Sequence, residues 1–392
     1  MSYGKLNALI PIELSFVLSC TNFPELEEAK ILLQNESNLN WNQVLYFAMV
    51  HQVFPLVYKA LNAIESSVIP SYILKTLSQE YQKSAIKSIN LTSETVRVST
   101  RLQEKAILPI ILKGSPLADK IYGDFTYRPS GDIDILVNPQ DFAVAESVLT
   151  DLNYKRYSPD SRQEQIFLKN YKHFEYYNDR NRIVVELHWR AINPDVAEFT
   201  GISYLGSQKI NLLGCQVNTL VNEEWLLYLM IHGCNHMWSQ LRWLIDIKKF
   251  SCNYIDWDII VSLAKKNDVI RMLHVTLYLL KVILQIPFPE PLEHDVMKDR
   301  KAKKLAILII NQLCRKEKNL INNKFIYLKN VILANCYNIG LRKGCKRKLA
   351  YLIRKLRPNT LDYDLINLPE KYTWLYYIIK PFSWIKRRLF NK

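Results

Sequence analysis

The hydrophobic pattern changes period twice along this chain, and that change restricts the fold more than any other feature of the sequence. From about Pro11 to Lys105 apolar residues recur at helical spacing, as in LEEAKILLQ, WNQVLYFAMVHQVFPLVYKAL and SYILKTLSQEYQK, with Pro24 and Pro70 as breaks. Between Ile107 and Leu213 the runs become short and β-rich (ILPIIL, DIDILV, HFEYY, RIVVEL), separated by turn formers such as RPSG and NDRN. Helical spacing returns at Asn222 and continues to the break at IPFPEP. The remainder is basic, aromatic and helical in pattern, without repeats or a low-complexity linker. The expectation is an α+β protein with a small mixed β-sheet core flanked by N-terminal and C-terminal helical regions. Its divisions are a helical arm over 1–105, the core over 106–215, a helical substrate-side unit over 216–300 and a basic aromatic tail over 301–392.

Composition excludes several classes. With 49% hydrophobic residues and only 10 glycines in 392, the chain is neither disordered nor fibrous. Seven scattered cysteines without a Cys-x-x-Cys pair indicate reduced thiols and a cytoplasmic setting. Pro11 and Glu13 interrupt any secretory h-region, and VLSC ending at Cys20 is a poor lipobox. The apolar run Met272 to Phe288 is broken by His274, Lys281, Gln285 and Pro287, so a buried helix is expected rather than a membrane span. Residues 300–392 hold 23 Lys plus Arg against 4 Asp plus Glu, a balance of +19. The whole chain carries +15, which leaves the first 299 residues at −4.

The chemistry concentrates in GDIDILV. On a strand, Asp132 and Asp134 share one face while Ile133 and Ile135 take the other. Two adjacent carboxylates repel each other, and divalent cations held by hard oxygen donors are the simplest compensation; a solvated strand edge is the plain alternative. Upstream, ILPIIL runs through Lys113 into Gly114, Ser115 and Pro116. Serine as N-cap and proline at the first helical position suit a helix start, whose free amides receive phosphate oxygens; an ordinary strand-to-helix turn is the alternative. In RIVVELHWR, Glu186 alternates with Val185 and Leu187 after a turn at Asn178 to Asn181, and it joins the aspartates if its strand lies beside theirs.

This order of strand, Gly-Ser turn, helix, Asp-x-Asp strand and later strand carboxylate resembles the DNA polymerase β nucleotidyltransferase superfamily. Over roughly Trp41 to Pro289, the segments LKGSPLA, RPSGDIDILV, VELHW and HGCNHMWSQLRWLIDI are similar to a branch known as uncharacterised bacterial nucleotidyltransferases. Two departures stand out: a long gap from Ser115 to Asp132, and glutamate as the third acid where many relatives carry aspartate. The resemblance implies a nucleotidyltransferase core that moves a nucleoside monophosphate from an NTP such as ATP to an acceptor and releases pyrophosphate. Two Mg²⁺ ions, or Mn²⁺, would sit on Asp132, Asp134 and Glu186, with Gly114 and Ser115 at the phosphates. The acceptor classes are a small molecule, a peptide, a polysaccharide precursor or RNA. The alternative is an inactive scaffold that binds membrane or RNA through its tail.

Around this core, Lys113 is placed to touch a triphosphate, and Arg128 to steady the carboxylates or meet a phosphate; both are equally readable as solvated cations. His173 and His188 lie on the two strands of the expected hairpin, near the substrate or as satisfied structural residues. His232 and His236 share a helical face at i and i+4 but lack an evident third zinc ligand; the resemblance puts them and Asp246 on the acceptor side of the cleft. In KYTWLYYIIKPFSWIKRRLFNK, Trp374, Tyr376, Tyr377, Phe382 and Trp384 alternate with Lys380, Lys386, Arg387 and Arg388. That pattern suits the inner face of an anionic membrane, RNA, or a packed helix with a basic face.

Overall fold

The structure is a computed structural model that describes residues 10–35, 39–157, 164, 167–168, 171–197, 207–252, 254–315, 324–357, 362, 368, 372 and 374–389. The side chains of Trp384, Arg387 and Arg388 lie outside what is described. In chain order the first helices are α1 (Ile12–Cys20), α2 (Glu27–Asn35), α3 (Trp41–Val50), α4 (Phe54–Ile64) and α5 (Ser71–Gln103). The sheet region holds β1 (Ile110–Ile111), α6 (Ser115–Tyr122), β2 (Ile133–Leu136), α7 (Phe142–Asp151), β3 (Lys155–Arg156), β4 (His173–Tyr177), β5 (Val184–His188), β6 (Gln208–Leu212) and β7 (Cys215–Thr219). After it come α8 (Asn222–Asn235), α9 (Arg242–Ser251), α10 (Trp257–Lys266), α11 (Ile270–Leu284), α12 (Glu290–Lys298), α13 (Arg300–Leu313), α14 (Lys324–Leu341), α15 (Cys345–Leu356) and α16 (Leu375–Leu389). The protein is therefore α+β, and among the described residues no helix is long and apolar enough to cross a membrane. The Met272 to Phe288 run forms most of the buried α11, which ends at Leu284 before Gln285 and Pro287.

The seven strands run in the order β3-β4-β5-β2-β1-β7-β6. β2 and β5 are parallel neighbours, with Asp134 opposite Glu186 and Leu136 opposite His188. β4 and β5 form the expected hairpin, closed where the Asn178 and Asn181 side chains accept from the Arg180 and Ile183 amides. ILPIIL contributes less strand than its composition suggests: Pro109 has no N–H for a ladder, so β1 keeps two residues. The β6–β7 hairpin adds two strands beside β1 that the alternation did not disclose, because QKINL and CQVNT are polar and half-exposed.

Period-2 alternation divides the sheet chemically. Ile111, Ile133, Ile135, Val185, Leu187, Phe174 and Tyr176 pack with Leu91, Val98 and Leu102 of α5 and with α7 in one core. The opposite face sends Ile110, Leu112 and Leu136 into a second, larger core that also takes in α8 and the N-terminal and C-terminal helices. The 33-residue α5 spans about 50 Å at 1.5 Å per residue, long enough to join both cores, and its Glu94 is clamped by Arg97 and Tyr154 where it crosses the sheet. The segment NEEWLLYLMIHGCNHMWSQLRW is two helices, not one, because Met237 and Trp238 turn through positive φ. Trp238 folds back onto Gly233, where any side chain would run into its ring.

Candidate active site

The carboxylates collect at the start of β2 and the middle of β5, on the face opposite the isoleucines. Asp132, Asp134 and Glu186 bring oxygens within 4.8 Å of one another. The last residue before the turn, Lys113, donates from Nζ to Asp132 Oδ1 at 2.7 Å and also contacts Asp134. Glu186 Oε2 lies 3.1 Å from His188 Nε2 and 3.3 Å from His173 Nδ1, and Asp134 Oδ1 lies 3.4 Å from His188 Nε2.

Burial opposes ionisation of Asp134, which is 1% exposed, but the Lys113 ammonium and His188 outweigh it and hold the carboxyl well below the usual range. Burial likewise opposes ionisation of Glu186, and His188 overcomes it. Lys113 is raised: its own burial is more than offset by Asp134 and Asp132. Three acids meet two lysines, Lys113 in contact with the aspartates and Lys172 on the wall of the cleft, so the carboxylates outnumber the lysines. Both Asp134 oxygens are shielded from water and met by ionic contacts rather than well-aligned hydrogen bonds. The donor set therefore fits a hard divalent cation.

Helix α8 forms the opposing wall, fixed in place by a 2.7 Å hydrogen bond from Trp225 Nε1 to the Leu112 carbonyl. It lowers Tyr228, His232 and His236 onto the carboxylates, dividing the cleft into two lobes that share Lys113, Asp132, His232 and His236. The smaller, about 330 Å³, is lined by Lys172, Asn193, Asn235, Asn338, Tyr351 and Arg354. The larger, about 610 Å³, is basic, with Lys83, Lys87, Arg128 and Arg242 on its walls. Burial and the nearby Arg128 charge lower the Arg242 guanidinium to about 10, and its Nε has no hydrogen-bond partner among the described residues.

The other expected residues are placed as follows. Gly114, not Ser115, is the N-cap of α6, at φ 84°, a conformation that a side chain would strain. The Ser115 hydroxyl is turned inward, accepting from Thr92 Oγ1 at 2.8 Å, and Pro116 follows at the second helical position. The turn itself lies against Ser130 and Asp132 at the edge of the basic lobe. Asp246, expected at the acceptor side, is instead 1% exposed: Tyr122 donates to one oxygen at 2.9 Å and Arg128 Nε to the other at 2.9 Å. The His232 and His236 rings lie 4.5 Å apart, tilted by 43°, with Trp243 edge-on to His232. Burial lowers both, and His232 well below its ordinary value; among the described residues neither belongs to a group of three metal donors.

Several lining residues carried no sequence signal. Tyr228 and Arg242 sit within helical runs that read as core. Asn338, Tyr351 and Arg354 come from the region read as a tail. They reach the cleft because Asp195, after β5, pairs with Arg342 at 3.0 Å and Arg354 at 2.6 Å, and Arg342 stacks 4.3 Å from the Tyr351 ring.

The sequence profile of the family described as "Uncharacterised nucleotidyltransferase" matches residues 37–285. The chain belongs to this family. The matched span contains every carboxylate and histidine of the site together with Lys113 and Lys172, whereas Asn338, Tyr351, Arg354 and Lys355 lie beyond it. A crystal structure of an antigenic nucleotidyltransferase-like protein from Paracoccidioides brasiliensis is similar at 12% identity, over 60% of this chain and 97% of that one, with a TM-score of 0.28. A comparison with curated proteins finds no match.

Proposed function

We propose that this nucleotidyltransferase-family protein is an active enzyme of the DNA polymerase β type, moving a nucleoside monophosphate from an NTP to an acceptor in the cytoplasm. The observation that carries the reading is the convergence of Asp132, Asp134 and Glu186 within 4.8 Å, from two neighbouring strands, at the floor of a two-lobed cleft. These three would hold Mg²⁺ or Mn²⁺, which when bound polarises the reacting phosphate and lowers the pKa of the acceptor hydroxyl. Lys87 and Arg242 draw the polyphosphate into the basic lobe. The amides of Asn193, Asn235 and Asn338 in the smaller lobe recognise a polar acceptor, a small molecule, peptide or polysaccharide precursor. Because Asn338 lies outside the family span, acceptor choice belongs to this chain more than to its family.

The test is transfer of label from α-labelled NTPs with Mg²⁺ in the presence of cell extract, comparing wild type with Asp132→Ala and Asp134→Ala. Label on an acceptor that disappears in both variants is the expected result. Label that persists in them, or none from any extract, overturns it.

One observation favours a second reading. Lys113 already spans Asp132 and Asp134 as a cation would, the arrangement expected of a scaffold that binds nucleotide, or a membrane or RNA partner, without catalysis. In that case Mg²⁺ leaves the melting temperature unchanged even with NTP present.

A further inference from the structure

Glu186 faces two imidazoles as well as two aspartates. His173 stands opposite His188 in the β4–β5 register, with ring centroids 4.7 Å apart. Both present a nitrogen to the same carboxylate oxygen: His173 Nδ1 at 3.3 Å and His188 Nε2 at 3.1 Å from Glu186 Oε2. In each ring the other nitrogen is turned toward an acceptor. His188 Nδ1 lies 3.2 Å from the Arg190 carbonyl, and His173 Nε2 lies 3.9 Å from Glu175 Oε1. A carbonyl oxygen only accepts, so His188 Nδ1 carries hydrogen, and Nε2 is the nitrogen that the ring presents to Glu186 and Asp134. Glu175 places a negative charge beside His173 without a hydrogen bond. Two ring nitrogens and a carboxylate oxygen then lie within 4.8 Å of one another, and a metal entering among them takes the place of any hydrogen on the ligating nitrogens.

The spacing matches such a cation. Bonds of roughly 2.1 Å to nitrogen and oxygen hold neighbouring donors roughly 3.0 to 3.4 Å apart in octahedral or tetrahedral geometry. A histidine ligand whose outer nitrogen is held by a backbone carbonyl, as in His188, is a usual support for a bound metal. We propose that His173, Glu186 and His188 form a mixed nitrogen and oxygen site for a divalent transition metal such as Mn²⁺, Co²⁺ or Zn²⁺. It shares Glu186 with the all-oxygen set of Asp132 and Asp134. Imidazole donors select these ions over Mg²⁺, and the site stands whether or not the protein transfers nucleotides.

The experiment is pulsed electron paramagnetic resonance on the full chain loaded with Mn²⁺ alone, read for nitrogen hyperfine coupling. The expected result is imidazole coupling in the wild type that weakens in His173→Ala and vanishes in the His173→Ala, His188→Ala double variant. His173 is the more exposed of the two, so its single variant serves even where loss of the buried His188 disturbs folding. Three results overturn the proposal: no Mn²⁺ binding, Mn²⁺ bound with oxygen ligands only, or coupling that survives in folded His173→Ala at full strength. An oxygen-only signal from a protein that labels an acceptor removes this site and leaves the transferase reading intact. Nitrogen coupling in a protein that labels nothing does the reverse.

Discussion

Two buried carboxylate clusters in this molecule are made of similar parts and balanced differently. Asp246 meets one arginine and one tyrosine, has both oxygens satisfied, and is sealed with Arg128 at side-chain exposures of 1% and 2%. Asp132, Asp134 and Glu186 set three acids against Lys113 and the more distant Lys172, and Asp132 and Glu186 remain partly open to a cleft. A balanced pair in low dielectric locks two elements together, here the Arg128 loop onto α9. Surplus charge of one sign is tolerated beside water and a ligand, because an incoming cation lowers its energy. Charge balance, more than burial, separates the structural acid from the functional ones.

The largest expected effect falls on catalysis. Asp134→Ala should lower kcat/KM for transfer by about 10³-fold, since metal stabilisation of the transition state is worth several kcal/mol; activity within tenfold of wild type would remove the contrast. Next is folding. Arg128→Ala strands the Asp246 charge and should cost about 3–5 kcal/mol in denaturant melts, whatever the Mg²⁺ concentration. Rescue by Mg²⁺ would show that Asp246 is a metal ligand after all. Somewhat smaller is the stabilisation by metal itself: Mg²⁺ at about 100 times its Kd should add about 2.7 kcal/mol to the wild type and nothing to Asp134→Asn, by calorimetry or thermal shift.

The smallest effect is in acid. Asp134 is held below its ordinary range in the folded protein, so its contribution is complete above the unfolded value near 4 and is lost as pH falls through it toward the folded value. Below about pH 4 the wild type should therefore lose stability more steeply than Asp134→Asn; parallel curves would mean that Lys113 and His188 do not hold the carboxylate as described.

Local pattern determined a good deal. The alternation in DIDILV and RIVVEL placed the isoleucines, Val185 and Leu187 in a core and the acids on the other face, because side-chain direction on a strand follows from the backbone alone. The helical periods, the breaks at Pro24 and Pro70 and the hairpin at Asn178 were legible for the same reason. Tertiary structure alone decided which charges meet. Nothing within reach along the chain pairs Arg128 with Asp246, 118 residues away, or turns the Ser115 hydroxyl to Thr92. Lys113 touches both aspartates because β1 lies antiparallel to β2, and Glu186 joins them because β5 lies parallel on its other side. Tyr351 and Arg354 line the cleft only because Asp195 draws the C-terminal helices back to it. A residue's face depends on its near neighbours in sequence, whereas its electrostatic partner depends on strand order and helix docking, which no local period encodes.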